Sequence, residues 1–196
     1  LVGQSQNYAS VSNMQNQDDK RQRLLEVIKS LSLFKGGAYR LASGGMSDVF
    51  FDMKKTMFDP EGANLAAELI LEILGDDHID FIGGIEMGAV PVVLAVTVKS
   101  LPERPLRSFF VRKEAKGHGR EELIGGHLKE NSDVVLFDDV TTTGGSILKA
   151  VKAVRDMGCR VSKVISIVDR SEGARENLAA HGIELVSLFT RSDFEH

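Results

Sequence analysis

Apolar residues recur at helical spacing at Leu24, Val27, Ile28 and Leu31, which predicts a helix over Asp18–Leu31. Two short strand candidates follow, Tyr39–Leu41 and Val49–Met53, separated by the turn-forming Ser43-Gly44-Gly45. Asp59-Pro60 reads as an N-cap with proline at the first helical position. The helix it opens carries Ala66, Leu69, Ile70 and Ile73 on one face and stops at Gly75. Strand and helix patterns then alternate. Strands are expected at Ile79–Gly83, Ser108–Val111, Val134–Phe137, Val161–Val168 and Ile183–Phe189. Helices are expected at Ala89–Val98, Gly145–Met157 and Glu172–Ala180. The wholly apolar run Val134–Phe137 suits a strand covered on both faces. This alternation predicts an α/β fold, a central parallel sheet flanked by helices. The first 58 residues break the alternation. They are expected to form a flexible tail (residues 1–17) and a small N-terminal subdomain (18–58) in front of an α/β core (59–196).

Composition narrows the class. The chain has 196 residues, 42% hydrophobic and 27% charged, enough for one domain with a real core. A net charge of -4 argues against general nucleic-acid binding, so basic residues must act locally. Cys159 is the single cysteine, which excludes an internal disulfide and a multi-cysteine metal site. It is expected to be structural. No run of 18 apolar residues is present, so no membrane span is expected. Residues 1–19 are polar and show no signal peptide; Met14 is a candidate native start, and a cytoplasmic location is expected.

The most informative string is Val134-Val135-Leu136-Phe137-Asp138-Asp139-Val140-Thr141-Thr142-Thr143-Gly144-Gly145-Ser146. A buried strand ends in two carboxylates, a turn rich in hydroxyls and glycine follows, and a helix begins. Ligands of open α/β sheets bind beyond the carboxyl ends of the strands. Unpaired N–H groups at a helix start suit a phosphate. Carboxylates repel phosphate but accept hydrogen bonds from sugar hydroxyls. The combination describes a ribose 5-phosphate site; a lone Asp-Asp would more simply be a capped turn. The absence of Gly-Lys-Ser/Thr argues against a P-loop ATPase. A second string, Arg112-Lys113-Glu114-Ala115-Lys116-Gly117-His118-Gly119, is too broken for a helix and too charged for a core. Alone it would read as a solvated loop.

The first string resembles the phosphoribosyl pyrophosphate (PRPP) signature of type I phosphoribosyltransferases. The second resembles the Arg-Lys-x-x-Lys-x-His-Gly signature of the orotate branch. Three further segments are similar to that family: Leu41-Ala42-Ser43-Gly44 with Phe50-Phe51-Asp52, the pyrophosphate-loop-like Gly83–Pro91, and Asp169-Arg170. The resemblance runs from about Leu24 to Phe189. It departs at Ala42 and at Met87-Gly88, where some members carry lysines. It implies the type I phosphoribosyltransferase fold with an N-terminal hood, and transfer of ribose 5-phosphate from PRPP to orotate. The implied PRPP ligands are Arg112, Lys113, Lys116, His118, Asp138, Asp139, Val140, Thr141, Thr142, Thr143, Gly144, Gly145 and Ser146. Of these, Lys116, His118, Asp138 and Asp139 are the implied catalytic groups. Phe50, Phe51, Thr142 and Arg170 would bind orotate. Mg²⁺ would ride mainly on PRPP and water, with no protein metal ligand named. The resemblance also implies a homodimer whose mobile loop reaches the neighbouring site. A purine-base enzyme should lack the second string. A PRPP-sensing regulator would need a nucleic-acid-binding part for which little sequence is spare, and a PRPP synthetase would need a longer chain.

Overall fold

The computed structural model describes residues 2–40, 44–114 and 123–195, without the side chains of residues 2–14. Helix α1 (Val2–Leu31) leads into a hairpin of β1 (Leu33–Arg40) and β2 (Met46–Phe51), followed by α2 (Met53–Met57) and α3 (Pro60–Leu74). Then come β3 (Phe81–Ile85), α4 (Val90–Lys99), β4 (Arg107–Val111), β5 (Ile124–Gly126), β6 (Asp133–Thr141), α5 (Gly145–Arg155), β7 (Arg160–Asp169), α6 (Ala174–Ala179), β8 (Glu184–Thr190) and a 3-10 turn at Arg191–Phe194. The hairpin is a separate two-stranded antiparallel sheet. The other six strands form one sheet in the order β5-β4-β3-β6-β7-β8.

That sheet is parallel except at its edge, where β5 runs antiparallel to β4, pairing Phe110 with Gly125. The charged, glycine-bearing segment had no strand pattern long enough to predict β5. Side chains of the central strand alternate as a covered strand requires. Val135 and Phe137 enter the core formed with α1, α3 and α4, while Val134 and Leu136 enter the core formed with α5 and α6. Phe137 is fully buried, and burial of such a side chain contributes about 1.5–3 kcal/mol. Cys159 is buried in the second core, with its thiol donating to the Lys129 carbonyl at 3.2 Å.

The cap of α3 forms as its sequence predicts. Asp59 Oδ1 accepts from the Glu61 and Gly62 N–H groups, and Pro60 opens the helix. Most boundaries shift by one or two residues, and three differences are instructive. Helix α1 starts at Val2 rather than Asp18, because polar composition lacks an apolar period without forbidding a helix. The strands of the hairpin are Leu33–Arg40 and Met46–Phe51, so Met53 belongs to the short α2. Strand β6 continues past Phe137 to Thr141, held by pairing to β7 through Asp138↔Ser166 and Thr141↔Asp169. Leu24, Leu25 and Ile28 of α1, Phe51 and Met53 all join the core that packs on the main sheet.

The chain leaves β3 through α4 to β4 on one side, and leaves β6 through α5 to β7 on the other. The strand order therefore reverses between β3 and β6. A crevice opens beyond their carboxyl ends at such a point.

Candidate active site

Two loops meet at that crevice. One follows β3 and contains Glu86, Met87 and Gly88; the other is the end of β6 and its turn into α5. They are in close contact: a Cβ on Gly88 would lie 2.4 Å from Asp139 Oδ2. Any side chain at 88 would push the Asp139 carboxylate from its place, so the glycine of the Met87-Gly88 departure suits this contact. The Glu86 carboxylate also accepts from the Lys113 N–H at 3.1 Å, joining the β3 loop to the segment after β4.

Alternation along β6 divides the string. Asp138, Val140 and Thr142 line a cavity of about 260 Å³ together with Thr143, Gly144, Gly145, Ser146 and Lys149. Thr141 turns the other way. It is buried, and its hydroxyl donates to Ser166 Oγ at 2.9 Å, so its side chain packs inside the sheet instead of facing the cavity. Asp139 faces the β3 loop, and the Val140 N–H donates to its Oδ1 at 3.1 Å. Burial pushes the Asp138 carboxyl well above the usual carboxylate range, and the adjacent Asp139 charge adds to the rise, while Lys113 opposes it. Burial raises Asp139 too, against the Val140 N–H and the positive charge of Lys54. Lys54 is itself paired with Asp52 at 2.6 Å.

The turn into α5 is built for an anion. Gly144 holds the left-handed φ of +80° at the N-cap, and no side chain caps the helix. The first turn of α5 carries no acidic residue. The Asn177 amide of α6 donates to the Thr143 carbonyl at 2.8 Å and fixes the turn from behind. An adjoining cavity of about 380 Å³ is lined by Ile85, Val111, Arg112, Lys113, Leu123, Ser146, Lys149, Ala150 and Ala153. Arg112 and Lys113 thus stand beside the phosphate turn. The Arg112 guanidinium lies 5.0 Å from the centre of the Phe110 ring. Lys116 and His118 lie outside the described residues, as do Leu41, Ala42 and Ser43.

The remaining expected residues sit at the hairpin. Phe50 and Phe51 point to opposite faces of β2. Phe51 is buried edge-on against Phe194 with centroids 4.9 Å apart, and Phe50 stacks on Tyr39 at 5.4 Å. Their side chains therefore do not line one pocket. Arg170 is buried. It donates to Glu172 Oε1 at 3.0 Å, the Val49 carbonyl at 3.2 Å and Ser47 Oγ at 2.9 Å, which ties the hairpin to the end of β7. Lys149 and Lys54 were not singled out from the sequence. Helical spacing from Gly145 was the available signal for Lys149; Lys54 offered none.

A phosphoribosyl transferase domain matches residues 55–185, which include both strings and both loops. The orotate phosphoribosyltransferase of Bradyrhizobium diazoefficiens is 48% identical over 179 residues, spanning 89% of this chain and 95% of the relative. The chain belongs to the orotate phosphoribosyltransferase family. Solved structures of the family agree with this fold. The orotate phosphoribosyltransferase of Mycobacterium tuberculosis H37Rv, in complex with Fe(III) dicitrate, aligns with a TM-score of 0.79 at 34% identity, over 90% of this chain and 99% of that one. The same protein in complex with PRPP aligns with a TM-score of 0.73 at 30% identity, over 90% and 92%. The family's PRPP-type string thus coincides here with the strand, turn and helix that line the 260 Å³ cavity.

Proposed function

We infer that this chain transfers ribose 5-phosphate from PRPP to orotate, giving orotidine 5'-monophosphate and pyrophosphate, the step that attaches ribose in pyrimidine nucleotide synthesis. The observation that carries the reading is the Asp138–Ser146 segment at the strand-order reversal, in a chain 48% identical to an orotate phosphoribosyltransferase. The N–H groups and hydroxyls of Thr142 to Ser146 would hold the 5-phosphate. Asp138 and Asp139 would accept hydrogen bonds from the ribose hydroxyls and keep negative charge beside a sugar that becomes oxocarbenium-like as pyrophosphate leaves. Orotate is already an anion, so rate should come from placement and electrostatics rather than from a strong base. Arg112 and Lys113, with Lys116 and His118, would face the pyrophosphate. Arg170 and the β2 backbone at Phe50 and Phe51 would bound the base.

Mg²⁺ is proposed as the companion ion, carried on PRPP oxygens and water. Asp138 and Asp139 fit it indirectly: burial raises both carboxyls, the Asp139 charge raises Asp138 further, and a divalent cation on the adjacent sugar would offset that repulsion. Bound there, the ion would neutralise charge on the departing pyrophosphate.

A homodimer with shared sites is part of the reading. Leu94, Val98 and Leu101, on and just after α4, expose an apolar strip that includes a 71% exposed Val98, and a groove lined by Val90, Val93 and Phe109 runs beside it. Such a strip is suited to a second copy of the chain. A cytoplasmic location and the lack of a nucleic-acid partner belong to the same proposal. No helix among the described residues is long and apolar enough to cross a membrane.

The test follows orotate absorbance with PRPP and Mg²⁺, each omitted in turn. Loss of orotate only when both are present is expected. Turnover of adenine or hypoxanthine, with none of orotate, would overturn the reading.

A further inference from the structure

We propose that Lys149 is a ligand of the 5-phosphate of PRPP and supplies the positive charge that the phosphate turn itself lacks. The proposal rests on reading residues 142–146 as the phosphate nest. Lys149 lies four residues after Gly145, the first residue of α5. Side chains of a helix lean toward its N-terminus and cover the residues three and four positions earlier. For Lys149 those are Ser146 and Gly145, and Gly145 has no side chain to obstruct it. Among the described residues, Lys149 is the one cation lining the 260 Å³ phosphate cavity, whose other charged member is Asp138. It also lines the adjoining cavity with Arg112 and Lys113, so with Ser146 it joins the two.

Lys149 is exposed, so the alternative is a solvated lysine with no ligand to meet. Its helical neighbours leave it without a competing carboxylate. At three and four residues on either side stand Gly145, Ser146, Lys152 and Ala153, none of them a carboxylate. Lys152, by contrast, has Asp156 four residues on and pairs with it at 2.8 Å. A lysine near a helix N-terminus, with no acidic residue in the first turn, is opposed by the helix dipole. A dianion seated between the amides and the ammonium reverses that sign, because both then attract the same group.

The two ends of PRPP separate the possibilities. Ribose 5-phosphate carries only the 5-phosphate, and inorganic pyrophosphate only the other group. Calorimetric titration of both into the parent, Lys149→Ala and Lys149→Arg proteins, with melting curves to check folding, is the experiment. Lys149→Ala should weaken ribose 5-phosphate about tenfold, as expected for loss of one charge-assisted contact. Pyrophosphate should change by less than about twofold, and Lys149→Arg should restore most of the loss. Unchanged ribose 5-phosphate affinity in Lys149→Ala, or a loss confined to pyrophosphate, would overturn the assignment. A parent protein that binds no ribose 5-phosphate would overturn the nest itself, and the role of the lysine with it.

Discussion

At the residue scale the site is a pair of carboxyls held where folding disfavours their charge. Burial and the neighbouring carboxylate raise Asp138 above the ordinary value of 3.8, and burial raises Asp139. A carboxyl raised by folding binds its proton more tightly in the folded chain. The stability it confers is therefore present at low pH and is lost as pH climbs from the unfolded value through the folded one. Asp138→Asn removes that opposing charge. It should raise the melting temperature of the unliganded protein at pH 8, on the order of 2–4 °C per kcal/mol relieved, and the gain should shrink toward pH 4. The same change should lower kcat by about a hundredfold, since the charge beside the developing cation is lost. An Asn variant with normal turnover would make the pair structural. Gly88 belongs to the same contact. Gly88→Ala places a methyl 2.4 Å from Asp139 Oδ2, so it should displace that carboxylate and cut kcat/KM about tenfold while the chain still folds. A variant as active as the parent would show that Asp139 is free to move. The Asp138-Asp139 pair stood out only with its surroundings, the apolar run before it and the hydroxyl- and glycine-rich turn after it; alone it would read as a capped turn. The role of Gly88 was not, since a steric limit set by Asp139, more than fifty positions later, leaves no local pattern.

At the element scale, the legible parts were those with a long period and a chemical stop. Helix α3 has an apolar face, Asp59 as cap and Gly75 as terminator, and it forms within a residue of expectation. The hairpin β1–β2 was legible only in outline. Gly36 and Gly37 interrupt β1, and its apolar residues face both its own partner strand and the core. What fixes the hairpin comes from far along the chain, through Arg170 bonded to Val49 and Ser47. Arg170→Ala should therefore act twice. It should raise KM for orotate more than KM for PRPP, by a factor matching about 1.5–3 kcal/mol, and it should lower thermal stability by loosening the hairpin. Ser47→Ala separates the two effects, because it removes only a hairpin contact and should leave KM for orotate within about threefold. Equal changes in both Michaelis constants for Arg170→Ala would move that side chain away from the base.

At the scale of the whole molecule, the alternation of strands and helices made the α/β sheet legible, and the order β5-β4-β3-β6-β7-β8 puts the expected phosphate turn at the reversal point. The antiparallel edge strand and the apolar strip of α4 were not read, because three residues of Ile-Gly-Gly carry no strand period and a helix apolar on nearly every side does not say which face another chain covers. If that strip joins two copies, Val98→Glu should shift the protein toward monomer in sedimentation; an unchanged mass would place the contact elsewhere. Mixed dimers of Lys116→Ala with Asp138→Asn/Asp139→Asn should then recover activity that neither parent shows, because one site keeps both its carboxylates and a partner's lysine. No recovery in verified mixed dimers would reject the shared site and leave the transfer reaction in place. One crevice is proposed to hold the base, the sugar phosphate and the leaving pyrophosphate together. Pyrophosphorolysis of orotidine 5'-monophosphate probes all three at once, since each must be bound before the bond to the base can break. Orotate and PRPP should appear only when pyrophosphate and Mg²⁺ are both supplied, and the folded Asp138→Asn/Asp139→Asn protein should form neither. Release of orotate without pyrophosphate, or undiminished exchange by that double variant, would rule the shared crevice out.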